Sequence, residues 1–440
     1  MANQTDGSKE FESINIKINK AIITSNNDES RTVDLRASDV VEYKEHMFRD
    51  TVEVSFVFSD SGNTLDGKSL SEALPLQTTE NFEFEMQDAR ERKLKINLNV
   101  NKVTPILKDQ QKENILLTLT SEEFIRNEMY SSAVNQRYDG KISDHVKSII
   151  ENNLKSKIKE ENLEITANNL NFIGNKRKAF YIIRWLQKKC IPVANGKMGD
   201  TAGFAFYQTS DGYHFKSIDS LFAQKTKRKY AFTGVANDAS QKYDAIVAKF
   251  SSNLNITANN KLRAGAYNTK LIVFDPFNCF YQVIDQDAEE TKSGTTLAGK
   301  NLPVLNKKFT QETTRTTYMI KDTGTLPSGD VKQQIDKNEE ETFEIEKILN
   351  QSIRRFNQLD CATMEIVIPT DFNLHVGETV RVDTRSLKDN TAGDGIDKTV
   401  SGKYLIFAVT HRVSNNKGST KLGLVRDSIG RVAENTGMME

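Results

Sequence analysis

The chain has 440 residues, 37% of them hydrophobic, with 60 Lys+Arg against 60 Asp+Glu and a mean hydropathy of −0.55. That length allows two to four domains, and the low apolar content implies a large surface, long polar loops or both. Balanced charge excludes an overall electrostatic match to nucleic acid, leaving room only for local basic patches.

The first ~120 residues read as antiparallel β structure. "SINIKINKAIIT" sets Ile14, Ile16 and Ile18 against Asn15, Lys17 and Asn19. "TVEVSFVF" puts Val52, Val54, Phe56 and Phe58 on one face, and "NFEFEM" does the same with Phe82, Phe84 and Met86. "KLKINLNVNKV" alternates Leu94, Ile96, Leu98 and Val100 with polar residues, and "NILLTLT" follows. Several such strands with polar connections predict a sandwich or barrel.

The character changes after Glu122. "SDHVKSIIENNLKSKI" begins at a capping Ser143 and carries Val146, Ile149, Ile150 and Leu154 at helical spacing. "KRKAFYIIRWLQKKC" reads as a second helix, with Phe180, Ile183 and Leu186 on its apolar side. "GFAFYQTSDGYHF" is a hairpin around Ser-Asp-Gly, with Phe204, Phe206 and Phe215 expected to pack on the helix containing Trp185. A short helix is expected from Ser217. From about Lys225 strands return in "KYDAIVAKFSS" and "TKLIVFDPFNCFYQVI". Residues 286–340 read as a polar, loop-like stretch. "EETFEIEKILNQSIRRFNQL" is a helix with Ile345, Ile348, Leu349 and Phe356 on one side, and the chain closes in strands such as "GKYLIFAVTHRV" and "TKLGLVRDS". The segment from Lys95 to Ser121 and that from Tyr404 to Ser428 share a layout of long strand, polar loop and second strand, as two related β domains would.

Several motifs invite a chemical reading. Gly62 to Ser69 fits G-x-x-x-x-G-K-[ST], the phosphate-cradling loop in which Lys68 and Ser69 would meet phosphate and Mg²⁺. The strand "LIVFD", ending at Asp275, would complete such a site. The context disagrees: the preceding strand alternates like a half-exposed antiparallel strand, and Pro75 ends any helix within two turns. "KDNTAGDGID" lacks the acid or amide that a calcium loop starting at Asp389 needs at Thr391, and the glycine it needs at Asp394. The five histidines (His46, His145, His214, His375 and His411) have no i, i+4 pairing. Cys190, Cys279 and Cys361 form neither a disulfide framework nor a zinc knuckle, although Cys190 beside a basic helix end could be a perturbed thiol. The basic runs Asn175–Lys178 and Thr226–Tyr230 read as solvated faces, without interleaved aromatics for stacking bases. No catalytic, cofactor-binding or metal-binding residue is assigned, and no cofactor is expected. The polar start "MANQTDGSKE" shows no signal peptide, and "AFYIIRWL" is far short of the ~20 residues that span a bilayer. The chain is expected to be soluble, folded in a reducing cytoplasm, and without membrane insertion.

The order of segments resembles the baseplate hub subunit of contractile-tailed bacteriophages of the T-even-like, cyanophage type. "FVFSDSGNTLDGKSLSEALPLQTTENFEFEMQD" is similar to that family's early strand–loop–strand. "KAFYIIRWL" followed by "GFAFYQTSDGYHFKSIDSLF" resembles its middle domain, "RAGAYNTKLIVFDPFNCFY" a later segment, and "GKYLIFAVTHRVSNNKGSTKLGLVRDS" its closing hairpin. The stretch 286–340 is longer than in the T-even pattern. The resemblance implies a mainly β fold with two related antiparallel β-barrels and an α+β middle domain. Its domains would be 12–120 (first barrel), 121–224 (middle), 225–430 (second barrel, with a polar insertion near 251–360) and a tail, 431–440. It further implies a non-enzymatic structural protein of the virion tail, assembled in the host cytoplasm. As a homotrimer it would form a pseudo-sixfold ring joining the hexameric tail tube to the trimeric central spike. Its partners would be the spike, tube or tube-initiator proteins and other baseplate proteins, with DNA passing during ejection in weak contact. The alternatives are a P-loop-type nucleotide hydrolase and a host-binding tail appendage.

Overall fold

The computed structural model describes residues 13–430 apart from 63–66, 109–111, 194–200, 233–242, 254–257, 277–278, 287–294, 301–305, 307, 310–311, 321–329, 333–344, 360, 386–395 and 398. The calcium-like loop from Asp389, much of 286–340 and the tail 431–440 thus fall wholly or partly outside the described residues.

The fold is mainly β. Strands β1 (Ser13–Ile14), β2 (Lys17–Thr24), β3 (Thr32–Asp34), β4 (Val40–His46), β5 (Glu53–Asp60), β6 (Asn81–Gln87), β7 (Lys93–Lys108) and β8 (Glu113–Thr120) form the first part of one large sheet, with a one-turn helix α1 (Leu70–Ala73) after β5. The alternation read from sequence is the burial pattern of β5 and β6: Val54, Phe56, Phe58, Phe82, Phe84 and Met86 are all in the core. In β2 the phase changes. Ile16 is buried and Ile18 partly so, but a register shift between Ile18 and Lys20 makes Ala21 and Ile23 the inward residues beyond it. A bulge adds one residue and so turns the following side chains to the other face.

The middle part holds α2 (Glu122–Arg126), α3 (Ile142–Asn152), α4 (Ala179–Gln187) and α5 (Ile218–Ala223), with β9 (Arg137–Tyr138), β10 (Phe172–Ile173) and the hairpin β11 (Phe204–Thr209)–β12 (Gly212–Ser217). Phe204, Phe206 and Phe215 share a core with Phe180, Ile183 and Trp185 of α4, as expected. Ser217 caps α5 by accepting from Ser220 N at 3.1 Å. Every residue of β11 is buried. Its other face turns Ala205 and Tyr207 into a different core, that of the last third of the chain. There Gly377, at φ +87°, leaves room for the Tyr207 hydroxyl, which a Cβ would meet at 1.9 Å.

The last part contains β13 (Arg228–Ala231), β14 (Ala245–Ile246), β15 (Lys249–Asn253), α6 (Ala258–Ala264), β16 (Thr269–Asp275), β17 (Phe280–Gln286), β18 (Arg315–Ile320), α7 (Ile345–Gln358), β19 (Ala362–Pro369), β20 (Thr379–Asp383), β21 (Gly402–Ser414) and β22 (Lys417–Arg426). The long hairpin β21–β22 joins the two halves. β21 pairs with β20 over Gly402–Val382 to Leu405–Thr379, then with β4 from Ala408 to Ser414. The switch falls at a bulge between Ile406 and Ala408. On the other side β22 pairs with β19 over Ser419–Arg426 and with β1 at Lys417–Gly418. One ring of strands therefore closes as β22–β21–β4–β5–β8–β7–β6–β2, returning through β1. A second closes as β22–β21–β20–β13–β14, then through β15 and β19. The hydrogen bonds Val247 N to Ala231 O (2.9 Å) and Ala248 N to Val367 O (2.8 Å) carry the second ring past the break between β14 and β15. Within the two rings pairing is antiparallel except at β13, which runs parallel to both neighbours. Each ring surrounds its own apolar cluster.

β16, β17 and β18 form a separate three-stranded sheet outside both rings. β18 lies in the stretch read as loop. Its "RTTYMI" is polar in composition, yet its β-branched and aromatic residues suit a pleated surface. "LIVFD" reads as a buried strand, but only Leu271 and Val273 are buried; Phe274 is exposed.

Candidate functional site

Residues 63–66 of the nucleotide motif lie outside the described residues, but its flanks do not build a phosphate site. β5, which precedes Gly62, is antiparallel to both β4 and β8. The helix after Ser69 is four residues long, with Ser69 capping it through Glu72 N at 3.3 Å. Buried Asp60 ties down the loop by accepting from Gly62 N (2.8 Å) and Leu70 N (2.6 Å). Lys68 is exposed, and the strand ending at Asp275 belongs to a different sheet from β5. Phosphate-binding loops need a parallel strand and a substantial helix whose N–H groups converge on the ligand, and this segment offers neither. Lys68→Ala should leave the unfolding free energy within about 0.5 kcal/mol, with no Mg·ATP-dependent rise in melting temperature before or after the change. ATP stabilisation abolished by the substitution would restore the nucleotide reading.

The histidines each take a structural partner. His46 Nδ1 accepts from Phe48 N at 3.0 Å, His145 Nε2 lies 2.9 Å from Leu170 O, His214 Nε2 2.9 Å from Thr209 Oγ1, and His411 Nδ1 2.8 Å from Thr420 Oγ1. Cys190 is buried, donates to Leu186 O, and burial pushes its thiol well up, away from nucleophilic character. Among the described residues no group of three His, Cys, Asp or Glu could hold a metal, and no helix is long and apolar enough to cross a membrane. Folding does build one small aromatic–basic surface that the linear sequence hides. Exposed Tyr130 and Tyr181 lie 5.7 Å from Lys176 Nζ and 5.5 Å from Arg177 Cζ.

What the fold does concentrate is buried charge at the seams. Glu45 sits on β4 of the first ring, fully buried. It accepts from Tyr43 Oη (2.7 Å), from Ser210 N of the β11–β12 turn (3.2 Å), and from His375 Nδ1 (2.9 Å) and Val376 N (2.9 Å) of the loop between β19 and β20. One carboxylate thus holds together first ring, middle part and second ring. A second cluster centres on Arg355 of α7, which donates to Asp219 of α5 and to Asp427 after β22, each at 2.7 Å, all three side chains being buried. A third joins the β6–β7 turn to the second ring. Asp371 accepts from Arg92 (2.5 Å) and Arg228 (3.0 Å), beside a cavity of about 90 Å³ at the seam. Arg184 of α4 meets Asp50 of the first ring at 2.7 Å.

Glu45 was legible in principle. In "VVEYKEHM" the inward positions are Val41, Tyr43, Glu45 and Met47, so period 2 puts a charge on the core face. Arg355 gave no such sign, since "SIRRF" reads as a polar helix flank. These arrangements supply rigidity. They offer no open nucleophile and no convergent acid–base pair facing a substrate cleft.

Burial by itself would lower the His375 pKa, but the Glu45 carboxylate beside it pushes it up to about 9, from 6.5. Burial would raise Glu45, yet the His375 charge and the donated hydrogen bonds bring it below its ordinary value. Burial holds His214 and His411 down to about 4. The signs follow from which state binds more protons. The His375 contribution is complete below pH 6.5 and is lost as pH rises through about 9. The Glu45 contribution is present above pH 4.5 and is lost on further acidification. Between about pH 4 and 6.5 His214 and His411 take up protons only when unfolded, so stability rises with pH across that window. Denaturation across pH should show a maximum close to 6.5, with an alkaline decline of about 3 kcal/mol that His375→Asn removes. An alkaline limb unchanged in that variant would refute the Glu45–His375 account.

No protein-family model and no curated protein sequence matches the chain. Solved structures do. The 43 kDa tail protein of prophage MuSo2 from Shewanella oneidensis superposes with a TM-score of 0.50 at 8% identity, over 93% of this chain and 98% of that one. The fold is similar to that of a phage tail protein. A tail protein from Neisseria meningitidis MC58 gives 0.49 at 8% identity, covering 95% and 97%. The Escherichia coli c3393 protein, described as a type VI secretion component with structural similarity to T4 tail proteins gp27 and gp5, gives 0.42 at 11% identity, covering 95% and 79%. At 8% identity the likeness to the MuSo2 protein concerns the fold, and it covers 93% of this chain.

Proposed function

We propose that the chain is a structural, non-enzymatic subunit of a contractile-tail baseplate hub, of the T-even-like, cyanophage type, three copies of which form a ring. The observation that carries this reading is the shared hairpin β21–β22, which builds two strand rings into one chain. Three copies present six such rings, a match for a sixfold tube on one side, while their true symmetry stays threefold for a central spike on the other. The likeness in fold to a prophage tail protein along nearly the whole chain supports it. In this reading the domains are 12–120, 121–224 and 225–430, with an insertion near 251–360 and a tail at 431–440. The partners are the spike, tube or tube-initiator proteins and other baseplate proteins, and the mature location is the virion tail after assembly in the host cytoplasm. DNA passes in weak contact. Zero net charge fits a conduit better than a groove that neutralises many phosphates.

Light scattering on the purified chain, alone and with its spike protein, should give three copies per complex. Association can depend on the partner, because binding stabilises an assembled state by mass action. A dimer under either condition, or a monomer even with the spike present, would overturn the reading.

A further inference from the structure

One face of the small sheet β16–β18 is apolar and open. The register pairs Phe274 with Tyr281 on one side and Ile320 on the other, and pairs Ile272 with Val283 and Tyr318. Directly paired residues share a face, so these six side chains form one surface. All but the half-buried Ile272 are between 43% and 76% exposed, whereas Leu271 and Val273 on the opposite face are buried. At the rim Lys270 and Asp285 lie 3.4 Å apart and neutralise each other, so no net charge marks the face for a nucleic acid or an anionic headgroup. Among the described residues both outer strands are sheet edges. An apolar face between open edges is a liability for a free monomer.

We propose that this face is where one copy of the chain docks on another. The proposal rests on the three-copy reading and adds to it the surface that holds the copies together. Area argues for a copy. With an aromatic side chain offering on the order of 200 Å² when fully exposed, the five open side chains present roughly 600 Å², most of the ~800 Å² per partner of a standard stable interface. The sheet also lies outside both strand rings, so covering this face disturbs neither core. In a threefold assembly the contact is heterologous: the face meets a different patch of its neighbour, and each copy gives one and receives one.

The test is sedimentation velocity on the full chain across the micromolar range, with and without spike protein. Two double variants are compared with the native chain, Tyr318→Lys with Ile320→Lys on β18, and Tyr281→Lys with Val283→Lys on β17. Each should weaken assembly at least about tenfold while leaving the monomer's circular dichroism and melting temperature unchanged, since the altered side chains are already in water. If the native chain assembles and both variants assemble equally well, the face is covered by something else and this inference falls while the three-copy reading stands. If the native chain stays monomeric throughout, both fall. Should one variant unfold, the other decides. Should both unfold, the face belongs to the fold itself and the proposal is overturned.

Discussion

Arg355→Met should lower the unfolding free energy by about 3–5 kcal/mol, the range seen when one partner of a buried ion pair is removed. Arg355 is itself buried and sits between two buried carboxylates. Its guanidinium reaches Asp427 Oδ2 and Asp219 Oδ1, each at 2.7 Å, and also donates to Thr296 O at 2.9 Å. The carboxylates keep other donors: Asp219 accepts from Thr201 N (3.0 Å) and Thr296 N (3.1 Å), and Asp427 from Ala298 N (3.1 Å) and Ser428 Oγ (2.8 Å). Those hydrogen bonds remain after the substitution, but the compensating charge does not. Met preserves most of the apolar stem, so lost packing contributes little. The triple variant Arg355→Met, Asp219→Asn, Asp427→Asn carries no stranded charge and should recover most of the loss. Equal losses in the single and triple variants, measured by denaturant titration, would show that packing rather than charge dominates here.

Glu45→Ala should cost about 3–4 kcal/mol by the same reasoning. It leaves the Tyr43 hydroxyl and the Ser210 and Val376 N–H groups without their acceptor, and it removes the counter-charge of His375. His375 can shed its proton, so the loss at alkaline pH should be smaller than at neutral pH. Glu45→Gln keeps volume and one acceptor oxygen, and should cost about half as much. Because Glu45 bridges three parts of the chain, its loss should also separate the melting of the middle part from that of the rings. Calorimetry that shows one unchanged, cooperative transition in Glu45→Ala would argue against a stapling role.

Local pattern carried much of the fold. Period-2 alternation found β5, β6 and the start of β7, and helical spacing found α3 and α4, because each of those elements turns one face to one core. The hairpin β11–β12 was legible for the same reason on its Phe204–Phe206 side. Its other side was not, since Ala205 and Tyr207 enter the core of a segment that begins some 20 residues later. β18 escaped because its composition is polar, and the phase of β2 because a bulge is a property of the paired strands and not of either sequence.

From the chain alone come the β-rich class, the break in character after Glu122, and the failure of the nucleotide motif, since Pro75 and an alternating strand already forbid its geometry. Tertiary structure decided which charges are buried, that β21 crosses from one ring to the other at the bulge beside Phe407, and that six apolar side chains of β16–β18 share one open face. Periodicity reports the environment of a residue relative to its own strand or helix. Which distant element covers that face, or leaves it bare, depends on pairing across hundreds of residues, such as Glu45 with His375, and no local pattern encodes such a partner.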